Sequence, residues 1–207
     1  MVQLSQPLAV VTPTLDAPVL AALALADESF TTGQLMRLLG HGSEEGIRRV
    51  LRRLRDQGVV TAERVGVAYS YRLNRQHLAA RHIIALANIK SELLLRIEKE
   101  LTHWAQPPVY AAVFGSAARG SMRADSDIDI LLVQGDGQHG QPWEDQVENL
   151  VRSVTKWTGN DTRPLEYTVQ ELHSSRTEPV LSDVLRTGLT VAGQRSWLSS
   201  QLRSKRS

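Results

Sequence analysis

Apolar positions recur at helical spacing in the first half of the chain and gather into short runs between turns in the second half. Leu15 to Asp27 is an apolar helix, and Thr31-Thr32-Gly33-Gln34 opens another with Thr31 or Thr32 as its N-cap, before a turn at Gly40 to Gly42. Ser43 then caps a third helix that Gly58 stops, and in it Ile47, Val50, Leu51 and Leu54 fall at i, i+3, i+4 and i+7, a stripe facing a core. Val59 to Leu73 alternates with Gly66 near a turn, the pattern of a β-hairpin. His77 to Trp104 contains neither proline nor glycine and predicts one long helix, ended by Gln106-Pro107-Pro108 at a domain boundary. Within it Ile83, Ala87, Leu94, Ile97, Leu101 and Trp104 approximate a three-four repeat, interrupted by Lys90. That stripe serves either a homodimer seam or packing against its own chain.

Past the prolines, Val109 to Phe114 reads as a buried strand that ends at Gly115-Ser116, and Ala117, Ala118 and Arg119 suit a helix start. Ile128 to Val133 is a mostly apolar central strand, Gly135 to Pro142 a loop, Trp143 to Thr158 an amphipathic helix and Arg163 to Val169 a third strand. A strand-turn-helix aims backbone N–H groups at an anion, and glycine lets the backbone approach a phosphate. Period-two alternation puts Asp127 and Asp129 on one face. Paired carboxylates on a half-buried strand repel each other and are costly unless a cation neutralises them. A phosphate cradle beside such a pair is what Mg²⁺-dependent phosphoryl or nucleotidyl transfer needs.

Gly115-Ser116-x-x-Arg119-Gly120, five residues, then Ser126-Asp127-x-Asp129 resembles the signature of the DNA polymerase beta-like nucleotidyltransferases in their minimal form. The resemblance implies two Mg²⁺ ions on Asp127 and Asp129, and ATP or another NTP held by Gly115, Ser116, Arg119 and Ser126. It also implies a third carboxylate on the following strand. Glu166, facing opposite to Leu165, Tyr167 and Val169, is the candidate there for metal and catalysis, with Asp161 as the alternative. Family members usually carry aspartate at that place. The implied reaction is in-line attack of an acceptor hydroxyl on the α-phosphorus with pyrophosphate leaving. The acceptor stays open between a protein side chain (a partner toxin among them, since minimal members often act as antitoxins), a small molecule and a nucleic-acid end.

The N-terminal third resembles a winged helix-turn-helix domain, through its order of helices and hairpin and through Val50-Leu51-Arg52-Arg53-Leu54-Arg55-Asp56-Gln57-Gly58-Val59-Val60. Arg48, Arg49, Arg52 and Arg53 lie outward on the third helix, and Arg64 and Arg72 sit on the hairpin. Arginine on nearly every outward position suits phosphates and guanine edges of double-stranded DNA. The rival is a solvated helix face in a protein-interaction or dimerisation module.

The expected fold is α+β: a winged helix-turn-helix over 1–75, a linker helix over 76–107, a nucleotidyltransferase domain with a mixed sheet over 108–193 and a basic tail over 194–207. At 207 residues the chain has room for these cores. It has no cysteine, hence no disulfide framework and no thiolate metal site. His77, His82 and His103 lack ligand spacing and read as surface residues. No apolar run spans a bilayer and no signal peptide opens the chain, so the expected setting is the cytoplasm without membrane contact. A nucleotide-sensing DNA-binding transcriptional regulator without turnover is the alternative to the enzyme.

Overall fold

The computed structural model describes residues 1–123, 125–137 and 140–203. Contacts divide the chain into two units, Gln6–Lys90 and Met1–Ser5 together with Ser91–Ser207.

The first unit runs α1 (Asp16–Leu25), β1 (Phe30–Thr31), α2 (Thr32–Leu39), α3 (Glu44–Asp56), β2 (Val60–Val65), β3 (Ala68–Leu73) and α4 (Ala80–Ala87). Thr31 caps α2 in a reciprocal box with Gln34, and the Ser43 hydroxyl accepts the Gly46 N–H at 3.0 Å to start α3. Gly58, at φ 76°, ends α3 in the left-handed conformation that glycine adopts without strain. The predicted stripe of Ile47, Val50, Leu51 and Leu54 is buried against Val19, Leu23 and Leu35. β2 and β3 form the hairpin, and β1 pairs with β3 to give a small sheet in the order β1-β3-β2. Three helices followed by this hairpin are the order of elements expected of a winged helix-turn-helix.

The second unit continues with α5 (Ile89–Thr102), β4 (Tyr110–Phe114), α6 (Gly115–Arg119), β5 (Ile128–Gln134), α7 (Gln141–Thr158), β6 (Thr162–Thr168), α8 (Val169–Ser174), α9 (Pro179–Thr187), β7 (Leu189–Ala192) and α10 (Arg195–Leu202). Its sheet is mixed, in the order β6-β5-β4-β7, with β5 and β6 parallel and the other pairs antiparallel. Tyr110, Ala112, Leu131, Val133 and Tyr167 pack on one face with Leu172, Leu181, Val184 and Leu198 of α8, α9 and α10. Ile128, Ile130 and Leu132 are buried on the other face. There α7 packs against β6, and the Trp104 and Trp143 rings meet edge to face at 5.4 Å. Among the described residues no helix is long and apolar enough to cross a membrane.

Two expectations need correction. The helix predicted over His77 to Trp104 is two helices, broken at Asn88, whose side-chain amide donates to the Ile84 carbonyl at 2.8 Å. A short polar side chain competes for backbone groups in this way and ends a helix that periodicity alone would continue. Of the three-four repeat, Ala87, Ile97, Leu101 and Trp104 are buried in their own chain, while Ile83 and Leu94 are half-buried. The tail read over 194–207 is helical from Arg195 to Leu202; Leu198 is fully buried, and Trp197 stacks on Tyr110 at 6.2 Å. Positions 204–207 lie outside the described residues.

If α10 closes this core, Leu198→Ala should cost about 2–5 kcal/mol in urea unfolding, and a loss within about 0.5 kcal/mol would place α10 outside it.

Candidate functional sites

Antiparallel pairing of β4 with β5 sets Phe114 opposite Asp129, so the turn after β4 and the start of β5 meet at one end of the sheet. Gly115 has φ 68°, and a side chain there would run into the Asp129 carboxylate. Only glycine permits both the backbone conformation and that approach. Asp127 lies just ahead of β5, half-buried, and Arg163 Nη2 stands 2.9 Å from its Oδ2. Burial first, then the Asp127 charge, raises the Asp129 carboxyl above its ordinary value; Arg163 and Arg119 pull it back. Ser116 is half-buried at the second residue of α6. Arg119, at the end of α6, is 2.5 Å from Asp183 of α9, which also holds Arg186 at 3.0 Å. The Ser126 hydroxyl accepts the Arg123 N–H at 2.9 Å, so it shapes the approach to Asp127.

Glu166 is not in this cluster. The parallel register sets Asp129 beside Arg163 and Leu132 beside Glu166, which puts Glu166 on the opposite face from the aspartates. Its Oε2 accepts the Trp143 indole N–H at 2.6 Å, tying β6 to α7. Alternation along β6 was legible, but both faces of β5 are apolar, so composition could not say which face of β6 meets the aspartates. Arg163 was missed for the same reason. Asp161 precedes β6 and is exposed; its carbonyl accepts the Ile128 N–H at 2.8 Å, so the ladder carries it beside Asp127. Among the described residues no three acidic or histidine side chains converge as a ready metal site. Asp127 and Asp129 nonetheless fit a divalent cation, since they are two half-buried carboxylates of one parity at the start of β5, beside the Gly115 turn.

In the other unit, Arg48, Arg52 and Arg55 share one stripe of α3 and line a hollow of about 490 Å³ together with Thr31, Thr32, Gly33, Glu44, Val67, Ala68, Tyr69 and Tyr71. Arg48 also pairs with Glu44 at 2.5 Å. Arg49 is exposed on the neighbouring stripe. Arg53, expected to face outward, is ion-paired with Asp16 of α1 and is therefore a tie within the unit. The hairpin arginines part company. The register puts Arg64 on the face of Tyr69 and Tyr71 and Arg72 on the other, where Arg72 lines a separate hollow with Asp27 and Glu28. Arg55, Tyr69 and Tyr71 were absent from the sequence-derived site. Their signal was the alternation that carries both tyrosines to the face of Arg64.

Asp129 binds a proton more tightly folded than unfolded, so its ionised form weakens the fold as pH rises through the raised value, and that stability returns as pH falls through it. Asp129→Asn should hold or raise stability at pH 7 in metal-free buffer and remove this slope. Arg163→Ala should push the Asp129 carboxyl higher still by removing an attracting charge, as a carbon-detected NMR titration would read. An unchanged or lowered value would show that Arg163 does not act on it.

Residues 94–173 match the family model for the nucleotidyltransferase domain. No curated protein matches the chain in sequence. Among solved structures, a toxin-antitoxin with AMP-PNP overlaps it at TM-score 0.40 and 16% identity, over 53% of this chain and 80% of that one. A mutant of the toxin-antitoxin MntA-HpeT overlaps at TM-score 0.39 and 15% identity, over the same 53% and 80%. TrmBL2, an archaeal chromatin protein, overlaps at TM-score 0.27 and 21% identity, over 83% of this chain and 71% of that one. Overlaps this slight carry no weight for fold or function. The family match takes in the Gly115 turn, both aspartates and Arg163, so the stretch from 94 to 173 is a nucleotidyltransferase domain.

Proposed function

We propose that the protein transfers a nucleoside monophosphate from an NTP, ATP being the first choice, to an acceptor hydroxyl, and that it does so while bound to duplex DNA. The observation that carries the reading is the contact between the Gly115 turn and Asp129, the second aspartate of the pair, at one end of the sheet. Asp127 and Asp129 would hold Mg²⁺, which when bound supplies positive charge to the phosphate oxygens. The backbone at Gly115 and the Ser116 hydroxyl receive the β- and γ-phosphates. Arg119, anchored by Asp183, lends positive charge from the end of α6. Arg163, paired with Asp127 and attracting the Asp129 charge, offsets part of the repulsion between the aspartates, and its exposed guanidinium would be free to turn toward a triphosphate once a cation took over that part. Asp161, beside Asp127 in the ladder, takes the acceptor proton in place of Glu166, which serves the fold through Trp143. Two carboxylates, and not three, thus carry the metal.

A second reading has its own support. Glu166 is turned away and Arg163 stands in ion-pair contact with Asp127, an arrangement that also suits nucleotide sensing without turnover. Incubation with α-labelled ATP, Mg²⁺ and cell extract separates the two. Transfer predicts covalent label on an acceptor, lost in Asp129→Asn, sharply reduced in Asp161→Asn and retained in Glu166→Gln. Binding of Mg-ATP with no label on any acceptor would establish the sensor.

For DNA, the arginines of the hollow carry the reading, because Arg48, Arg52 and Arg55 of α3 share it with the Tyr69 and Tyr71 rings of the hairpin. Replacing Arg48, Arg52 and Arg55 with Ala should weaken duplex binding strongly and flatten its salt dependence, by about 0.9 in log–log slope for each phosphate no longer neutralised. Arg72→Ala should leave both unchanged. Equal losses from the triple variant and from Arg72→Ala, or no duplex binding by the parent, would return this unit to a protein-interaction role.

A further inference from the structure

The chain's first five residues belong to the nucleotidyltransferase unit, although the next residue, Gln6, belongs to the other. They form a strap across the approach to β5. The Val2 N–H is shared between Asn160 Oδ1 at 2.8 Å and the Thr158 carbonyl at 3.0 Å. Leu4 is buried, and the Ser5 hydroxyl donates to the Met122 carbonyl at 3.0 Å. Asn160 is fully buried, and its Nδ2 donates to the Ser126 carbonyl at 2.9 Å. One amide side chain thus joins the strap on one side to the residue preceding Asp127 on the other. Its own N–H donates to Thr158 Oγ1 at 3.2 Å, which fixes the turn between α7 and β6 from which it reaches.

We propose that residues 1–5, acting through Asn160, are a positioning strap that sets where Asp127 stands relative to Asp129 and so sets the affinity of the carboxylate pair for a divalent cation. The metal part of this rests on the function proposed above; the mechanical part does not. A buried amide whose oxygen and nitrogen are both engaged is costly to leave half-satisfied, so loss of the strap's N–H is felt at the other end of the amide. Asp127 has no strand pairing of its own ahead of Ile128, the first residue of β5. Its backbone therefore depends on what holds Ser126. Asp129 sits within the ladder opposite Phe114 and Arg163 and is fixed without the strap. The spacing of the two carboxylates is then adjustable on one side only.

The test uses the full chain with Val2→Pro, which removes one backbone donor and leaves Asn160 in place, and Ser5→Ala, which releases the Met122 end. Amide hydrogen exchange needs no metal or nucleotide. It should speed up about 3–10-fold at Asp127 and Ile128 in Val2→Pro, while Leu131 to Val133 at the centre of β5 keep their protection. Mn²⁺ affinity with a non-hydrolysable ATP analogue should fall by a similar factor, about 3–10-fold, and Ser5→Ala should shift both readouts in the same direction. Unchanged exchange at Asp127 and Ile128, or equal acceleration throughout β5, would overturn the strap. Failure of the parent to bind Mn²⁺ with nucleotide would overturn the proposed function instead, and the exchange data would still decide the strap.

Discussion

The site depends on a crowded contact, the Asp129 carboxylate lying against the backbone of Gly115. A carboxylate is stable there only because glycine leaves room for it and because the left-handed turn carries the chain away. The turn that could receive phosphate oxygens and the side chains that could hold a cation are thereby fixed against each other by sterics. The cost is electrostatic. Asp127 and Asp129 crowd like charges into a half-buried place, and the raised Asp129 carboxyl records it.

The surrounding architecture manages that cost without removing it. Arg163 supplies a guanidinium from the parallel neighbour strand, 70% exposed and so able to move off, while Arg119 is drawn toward Asp183. Glu166, by contrast, is spent on Trp143, and through it on the junction of β6 with α7 and α5. A longer acidic side chain on β6 is tolerated because it answers a buried indole N–H, a structural need unrelated to the aspartates.

Much of this was legible in the sequence. The Gly115 turn, the Asp127–Asp129 parity, the Ser43 cap and the α3 core stripe follow from local spacing, and local spacing survives folding. The polar composition of α10 hid its packing, although Leu198 is buried and Trp197 half-buried by elements far away in sequence. The side on which Glu166 falls depends on the register between β5 and β6, which no single strand encodes. The ties of Arg53 to Asp16 and of Asn160 to Val2 are likewise long-range pairings, invisible to periodicity.

The central claim is that the Gly115 turn and the aspartate pair form one site. Calorimetric titration of a non-hydrolysable ATP analogue into the parent and into Gly115→Ala, with and without Mn²⁺, tests it most directly. The account predicts that nucleotide binds the parent only with the cation, and that the added methyl, by displacing Asp129, abolishes both nucleotide and cation binding. Nucleotide binding that needs no cation, or that survives Gly115→Ala unchanged, would contradict it.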